Sequence, residues 1–279
     1  MPVLVPDSLA AACALLVEDR ERIVLAGGTD LLVAWPQRFD RHDATYVDVS
    51  KLTELRTISF AGDALVLGAA ATWWDAIRDD RVKRAAPLLP RVARQVGALQ
   101  IQTRGTWAGN IANASPAADG AAVLMAHDAI LELISSDGEE EVPLAEFYLG
   151  HQRTRCRAHQ LIRAIRVPLR ERDIEVFEKV GARAAQTVSN LSLTFVHSAA
   201  GWRVVVGGMA PSVVRCPSLE RLIESETPID SPEALHPAIR ADLSPIDDLR
   251  ASAAYRLRVL ARVAFTKLSE VCPWVQGRL

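Results

Sequence analysis

The sequence predicts an α+β protein built in two parts, on three observations. Short apolar strands and capped helices alternate over residues 1–168 without a solenoid-type repeat. The alternating run 161–167 is stopped by Pro168, which puts a boundary near 168–172. Beyond it, strand runs at 174–180 and 202–209 lead to a long closing helix over 252–271. These patterns set the class and do not choose among α+β folds.

Each element has its local reason. Asp7 or Ser8 can cap a helix over 9–18 that keeps Leu9, Ala12, Leu15 and Leu16 on one face. Residues 22–26 read as a short buried strand ending in the turn Gly27-Gly28-Thr29-Asp30, after which the apolar run 31–35 resumes. Residues 46–49 form a strand, and 57–60 with 65–67 form a hairpin around Gly62-Asp63. Thr72 caps a helix carrying Trp73, Trp74 and Ile77, with both tryptophans expected in the core or an interface. A second helix over 81–97 is interrupted near Pro87 and Pro90. Ser115 as N-cap and Pro116 at the first helical position start a helix over 116–128. Strand 130–134 turns at Ser136-Asp137-Gly138 into 140–142, where Glu139, Glu140 and Glu141 mark a solvated sheet edge. Strand 161–167 is expected to keep one wet face. Residues 186–197 fit either strand or helix. Residues 218–225 and 231–241 look helical. Leu257, Leu260, Ala261, Ala264 and Leu268 form the apolar stripe of the last helix.

Composition narrows the function. The chain has 279 residues, 49% hydrophobic and 24% charged, an ordinary globular composition with enough length for a substantial core or for two to three smaller domains. A net charge of −2 and a pI near 6.3 leave no basic excess for phosphates, so nucleic acid is not an expected partner. The run Arg153-Thr154-Arg155-Cys156-Arg157 is read as a solvated loop. No apolar run reaches membrane-spanning length, and Met1-Pro2 opens no signal pattern, so a cytoplasmic protein without membrane insertion is expected. Cys13, Cys156, Cys216 and Cys272 are scattered and read as free thiols rather than a metal or cluster site. There is no H-E-x-x-H, G-x-G-x-x-G, Walker A loop or G-x-S-x-G.

Two stretches carry candidate chemistry. The adjacent glycines Gly27 and Gly28 let successive N–H groups converge on an anion, and Thr29 adds a hydroxyl. The stretch 104–119 is dense in small residues, amides and hydroxyls. Gly109 permits close approach or positive φ, and Asn110, Asn113 and Ser115 offer short hydrogen-bonding side chains. A small-residue loop feeding a helix suits an anionic or polar ligand, and it equally suits a tight turn between core elements.

Taken together, Leu25-Ala26-Gly27-Gly28-Thr29-Asp30-Leu31, the segment Thr106-Trp107-Ala108-Gly109-Asn110-Ile111-Ala112-Asn113-Ala114-Ser115-Pro116-Ala117-Ala118-Asp119 and the segment Phe177-Glu178-Lys179-Val180-Gly181-Ala182-Arg183 make the chain resemble the FAD-binding (medium) subunit of molybdenum hydroxylases. That is the xanthine dehydrogenase and carbon monoxide dehydrogenase family. A weaker match lies at 248–256. Ala108 stands where the family has the first of two glycines, and Trp107 where it has an aliphatic residue. The β-methyl of Ala108 matters if that position needs φ > 0 or touches phosphate.

The resemblance implies a fold: a two-subdomain FAD-binding fold (PCMH/VAO-like) over 1–168, with subdomains of about 1–56 and 57–168. A smaller α+β C-terminal domain of the CO dehydrogenase flavoprotein type follows over 169–279. It also implies roles. Ala26, Gly27, Gly28, Thr29, Asp30 and Leu31 would cradle the FAD pyrophosphate, and Thr106, Ala108, Gly109 and Asn110 would form the second wall. Asp119 would accept from ribityl or ribose hydroxyls, Ile162 would pack at the adenine or flavin edge, and Lys179 would lie near the flavin's polar edge. No catalytic acid or base and no metal ligand is implied in this chain. Molybdopterin and 2Fe–2S clusters would reside in partner subunits, an iron–sulfur small subunit and a molybdopterin large subunit, with NAD, dioxygen or a quinone as electron acceptor. Two alternatives stand beside this one: a free-standing FAD-dependent oxidase, and a scaffold subunit that has lost FAD through Trp107 and Ala108.

Overall fold

The computed structural model describes residues 2–34, 44–183 and 186–277. Trp35, the last residue of the apolar run after the glycine pair, lies outside them. The first sheet has three parallel strands, β1 (Val3–Leu4), β2 (Ile23–Leu25) and β3 (Tyr46–Asp48), with β3 in the centre. Helix α1 (Leu9–Glu18) crosses between β1 and β2, and the Ser8 hydroxyl accepts from the Ala11 N–H at 3.2 Å. Helix α2 (Thr29–Ala34) leaves the glycine turn directly after β2. The expectation of a buried β2 is corrected, because its residues are half-buried or exposed: one side of the strand faces a cavity rather than a packed layer.

The second sheet is antiparallel and holds β4 (Ile58–Ala61), β5 (Ala64–Gly68), β6 (Ile130–Ser135), β7 (Gly138–Pro143) and the later β10 (Leu161–Pro168). Its order is β4-β5-β10-β6-β7, so the triple-glutamate strand is the outer edge, as its charge implies,. Between β5 and β6 lie α3 (Trp73–Arg78), α4 (Asp80–Ala85), α5 (Leu88–Ala93), α6 (Leu99–Gln102), α7 (Trp107–Ala112) and α8 (Asp119–Ala126). Thr72 caps α3 in a full capping box with Asp75,. Pro87 separates α4 from α5, while Pro90 sits inside the first turn of α5, where its missing N–H has no intrahelical partner to lose,. α9 (Leu144–Phe147) and the small hairpin β8 (Tyr148–Gly150) with β9 (Arg153–Thr154) connect to β10.

Two expectations in this region are corrected. The helix expected from Pro116 begins at Asp119, after the N-cap Ala118, and Ser115 instead closes a turn by accepting from the Ala117 N–H at 3.3 Å. The segment read as a loop contains α7, capped by the Thr106 hydroxyl.

The third sheet is β11 (Arg172–Val180), β12 (Leu191–Ser198), β13 (Gly201–Gly207) and β14 (Val214–Arg215), all antiparallel. The ambiguous 186–197 segment is a strand from Leu191 onward. Its alternation decides the layers. Leu191, Leu193 and Phe195 enter a core with α10 (Pro217–Glu224), α11 (His236–Asp242) and α12 (Ala253–Val271). Val196 and Val205 turn to the other core, which α8 shares with the first two sheets,. Every residue of α8 is buried. Ser252 caps α12, and the five residues of its expected stripe are all buried.

Candidate functional site

β2, the Gly27-Gly28 turn, α2, α7 and β10 enclose a cavity of about 720 Å³, within the range of small-molecule sites, roughly 300–1,000 Å³. Ala26, Gly27, Gly28, Thr29, Asp30, Leu31, Thr106, Ala108, Gly109, Asn110 and Ile162 all line it. The structure therefore brings together the two loops that the sequence separates by about eighty positions.

Local chemistry explains each loop. Gly28 has φ +69°, the left-handed region,. Gly27 does not, but a Cβ there would collide with the Arg104 carbonyl, so the glycine is required by close approach of the second loop. Two bonds tie the loops: Arg104 Nε donates to the Gly27 carbonyl at 3.3 Å, and Asn113 Nδ2 donates to Asp30 Oδ1 at 3.0 Å. Among the described residues, the N–H groups from Gly27 to Leu31 meet no protein acceptor. Three of them belong to the first turn of α2, where no intrahelical acceptor exists.

In the second loop, Thr106 Oγ1 accepts from the Gly109 N–H at 3.0 Å, and Asn110 Oδ1 accepts from the Ala121 N–H at 3.1 Å. The latter bond fixes α7 to α8. Gly109 is helical and has no positive φ. Its constraint is space, since a Cβ would stand 2.8 Å from the Thr106 hydroxyl. Ala108 is also within right-handed helical backbone, so its methyl carries no backbone strain. Trp107 is fully buried, with its ring centroid 4.3 Å from that of Trp73. Trp107 is thus absorbed by the core side of α7, while Ala108 lies on the cavity wall in unstrained helical backbone.

Asp119 and Lys179 are not in the cavity wall. Lys179 Nζ donates to Asp119 Oδ2 at 2.6 Å and to the Gln95 carbonyl at 3.2 Å, and Ser189 donates to Asp119 Oδ1 at 2.7 Å. In this structure Asp119 and Lys179 engage each other. The pair pins the Ser189 segment, whose neighbour Val188 does line the cavity.

Sequence reasoning missed further wall residues, among them Tyr46, Val96, Ile101, Thr154, Cys156, Gln160, Leu161 and Val188, together with Trp73, expected only as core. They come from six separated segments without a shared motif. Only the adjacency of Leu161 to Ile162 on one strand offered a signal. Burial, aided by the Glu140 carboxylate, pushes the Cys156 thiol up to about 11, so it is a neutral wall group at physiological pH. Among the described lining residues there is no lysine or arginine. An anion here would be held by backbone N–H groups. The wall fits a dinucleotide in these terms: an uncommitted N–H cradle between apolar surfaces, with one unpartnered buried hydroxyl, that of Tyr46.

A cavity built this way has the form of a dinucleotide-binding site,. Residues 1–170 match the family described as the FAD binding domain in molybdopterin dehydrogenase, and residues 175–271 match the CO dehydrogenase flavoprotein C-terminal domain; the chain belongs to this family. It is 28% identical to the xanthine dehydrogenase FAD-binding subunit of Escherichia coli O157:H7 over 98% of this chain and 96% of that one. It is 28% identical to the carbon monoxide dehydrogenase medium chain of Hydrogenophaga pseudoflava over 90% of each. The solved carbon monoxide dehydrogenase of Hydrogenophaga pseudoflava superposes with a TM-score of 0.84 at 27% identity, over 94% of this chain and 93% of that one. Reconstituted CO dehydrogenase from Oligotropha carboxidovorans shares the fold, with a TM-score of 0.86 at 22% identity over 98% and 97%. The chain is therefore an oxidoreductase component of medium-subunit type, with FAD as its cofactor. The expected fold class is borne out.

Proposed function

We propose that this chain is the electron-transfer flavoprotein subunit of a heteromeric molybdenum-containing hydroxylase. It would work in the cytoplasm with an iron–sulfur small subunit and a molybdopterin large subunit as a heterotrimer. Residues 1–168 would form the FAD domain, in subdomains of about 1–56 and 57–168, and 169–279 the C-terminal domain. One observation carries this reading: two glycine-bearing loops converge on one cavity, where the N–H groups from Gly27 to Leu31 meet no acceptor among the described residues.

Bound FAD would supply redox chemistry, taking reducing equivalents from partner 2Fe–2S clusters and yielding them to NAD, dioxygen or a quinone. The chain's own residues bind and orient. Gly27 to Leu31 would donate N–H groups to the pyrophosphate, while Thr106, Ala108, Gly109 and Asn110 would close the facing wall. Ile162 and Leu161 would keep water from one side. Asp119 and Lys179 would act behind the wall, by holding the Val188 segment in place. Asp30, the one carboxylate on the wall among the described residues, accepts from Asn113, and Cys156 is a neutral thiol, so neither is set up as a general base. This favours an electron relay over a free-standing oxidase. The unstrained Ala108 and inward Trp107 speak against a scaffold that has lost FAD.

The test is the visible spectrum of the chain purified with the subunits that accompany it. Flavin bands with iron–sulfur absorption are expected. A lone flavin-bearing chain that turns over substrate would replace the relay with an oxidase, and absence of flavin in every preparation would overturn the assignment.

A further inference from the structure

Tyr46 opens β3, where it pairs with Val3 on one side and Ile23 on the other. The sheet therefore holds it from both sides. Its side chain is 1% exposed and lines the cavity. The next residue, Val47, turns into the opposite core, as strand alternation requires,. The phenolic oxygen of Tyr46 is buried and has no hydrogen-bond partner among the described residues. Buried hydroxyls are rarely left so, and buried tyrosine in particular tends to place its O–H on an acceptor. Phenylalanine would fill the same volume and leave no orphan. The arrangement is disadvantageous in the empty cavity and becomes favourable only when something polar enters.

We infer that Tyr46 Oη is a hydrogen-bonding ligand of the bound FAD. The inference rests on the FAD reading of this cavity. Register indicates which part of the dinucleotide it meets. Tyr46 is level with Ile23, four residues before Gly27. From that level β2 runs on to Leu25, about 7 Å at a strand rise of about 3.3 Å per residue, before the turn that carries the N–H cradle,. The pyrophosphate belongs at the cradle, so the tyrosine meets an end of the molecule: either the adenosine or the flavin with its ribityl chain. Both offer acceptors: ring nitrogens and ribose oxygens in adenosine, ring carbonyls, ring nitrogens and ribityl hydroxyls in the flavin half.

The experiment is Tyr46→Phe in the full chain. FAD is removed and added back, affinity is read by flavin fluorescence, and Tm is read with and without FAD. Loss of one neutral hydrogen bond predicts about fivefold weaker FAD binding. The same change removes an orphan hydroxyl from the empty protein, so the FAD-free Tm is expected to stay level or rise. Opposite signs in the two states are the signature of a ligand contact. ADP and FMN, used as half-molecule probes, locate it: the half that is also weakened is the half it touches. Equal FAD affinity in wild type and variant overturns the inference while leaving the FAD reading intact. A FAD-free Tm that falls with affinity also overturns it, since the hydroxyl would then be structural. A wild-type chain that takes up no FAD fails the underlying reading itself.

Discussion

At the scale of single residues, the two adjacent glycines of the first loop are needed for different reasons, and this separates their variants. Gly27→Ala places a methyl against the Arg104 backbone carbonyl. Neither backbone can move without parting the two loops, so a cost of about 1–3 kcal/mol and loss of FAD retention are expected. Gly28→Ala has room, with Leu25 Cδ1 at 3.4 Å as the nearest atom, and pays only for φ +69°, about 1–2 kcal/mol. FAD retained through gel filtration, measured as absorbance per protein, should therefore fall further in Gly27→Ala than in Gly28→Ala. The reverse order would show that loop contact is not what Gly27 secures. The glycine pair was legible in the sequence as a place where N–H groups could gather. That one glycine is steric and the other torsional was not legible, because it depends on a carbonyl 77 positions away.

At the scale of elements, β10 shows how a pattern can mislead. Strict alternation places Arg163 and Arg166 on opposite faces and predicts one wet face. A register shift between Ile162 and Ala164 inserts one residue,. Both arginines then reach the same carboxylate, Glu132, at 2.8 and 3.0 Å, and they continue outward to Glu139 and Glu141 on the edge strand. Glu132 is 9% exposed and the arginines 35% and 41%. Glu132→Ala is expected to cost about 1–3 kcal/mol, less than a fully buried pair, because both guanidinium groups keep access to water. Urea unfolding measures this, and a change below about 0.5 kcal/mol would mean the bulge is held by packing alone. Strands and caps with local causes, such as Ser8 and Thr72, were readable. The bulge, the short α6 and the delayed start of α8 were not, since each is set by contacts between distant segments. The same holds for the cavity wall: its two motif loops were readable, and the apolar residues completing it were not.

At the scale of the whole molecule, α8 is a buried strut tied to the C-terminal sheet at both ends. Asp119 at its start pairs with Lys179 of β11. Just past its end, Asp128 pairs with Arg203 of β13 at 2.7 Å and with Arg170, between β10 and β11, at 2.6 Å. Burial alone would raise the Asp128 carboxyl, but hydrogen bonds and charge from Arg203, and then from Arg170, outweigh it and hold the group below the usual carboxylate range. The sign follows: a depressed folded pKa contributes stability that is fully present above the unfolded value, about 3.9, and lost as pH falls through the folded value. Asp128 also has φ 54°, a conformation asparagine tolerates, so Asp128→Asn removes charge without new backbone strain. The variant should unfold about 2–6 °C below wild type at pH 7, corresponding to about 1–2 kcal/mol. The gap should narrow steadily as pH is lowered below about 4. A gap unchanged down to pH 2.5 would mean the carboxylate's charge does not hold the strut. Flavin absorbance at pH 7 should not change, because Asp128 lies at the end of α8 away from Asp119 and the Val188 segment. If flavin is lost together with Tm, the two ends of α8 are coupled, and the C-terminal sheet closes the cavity through the helix as a whole.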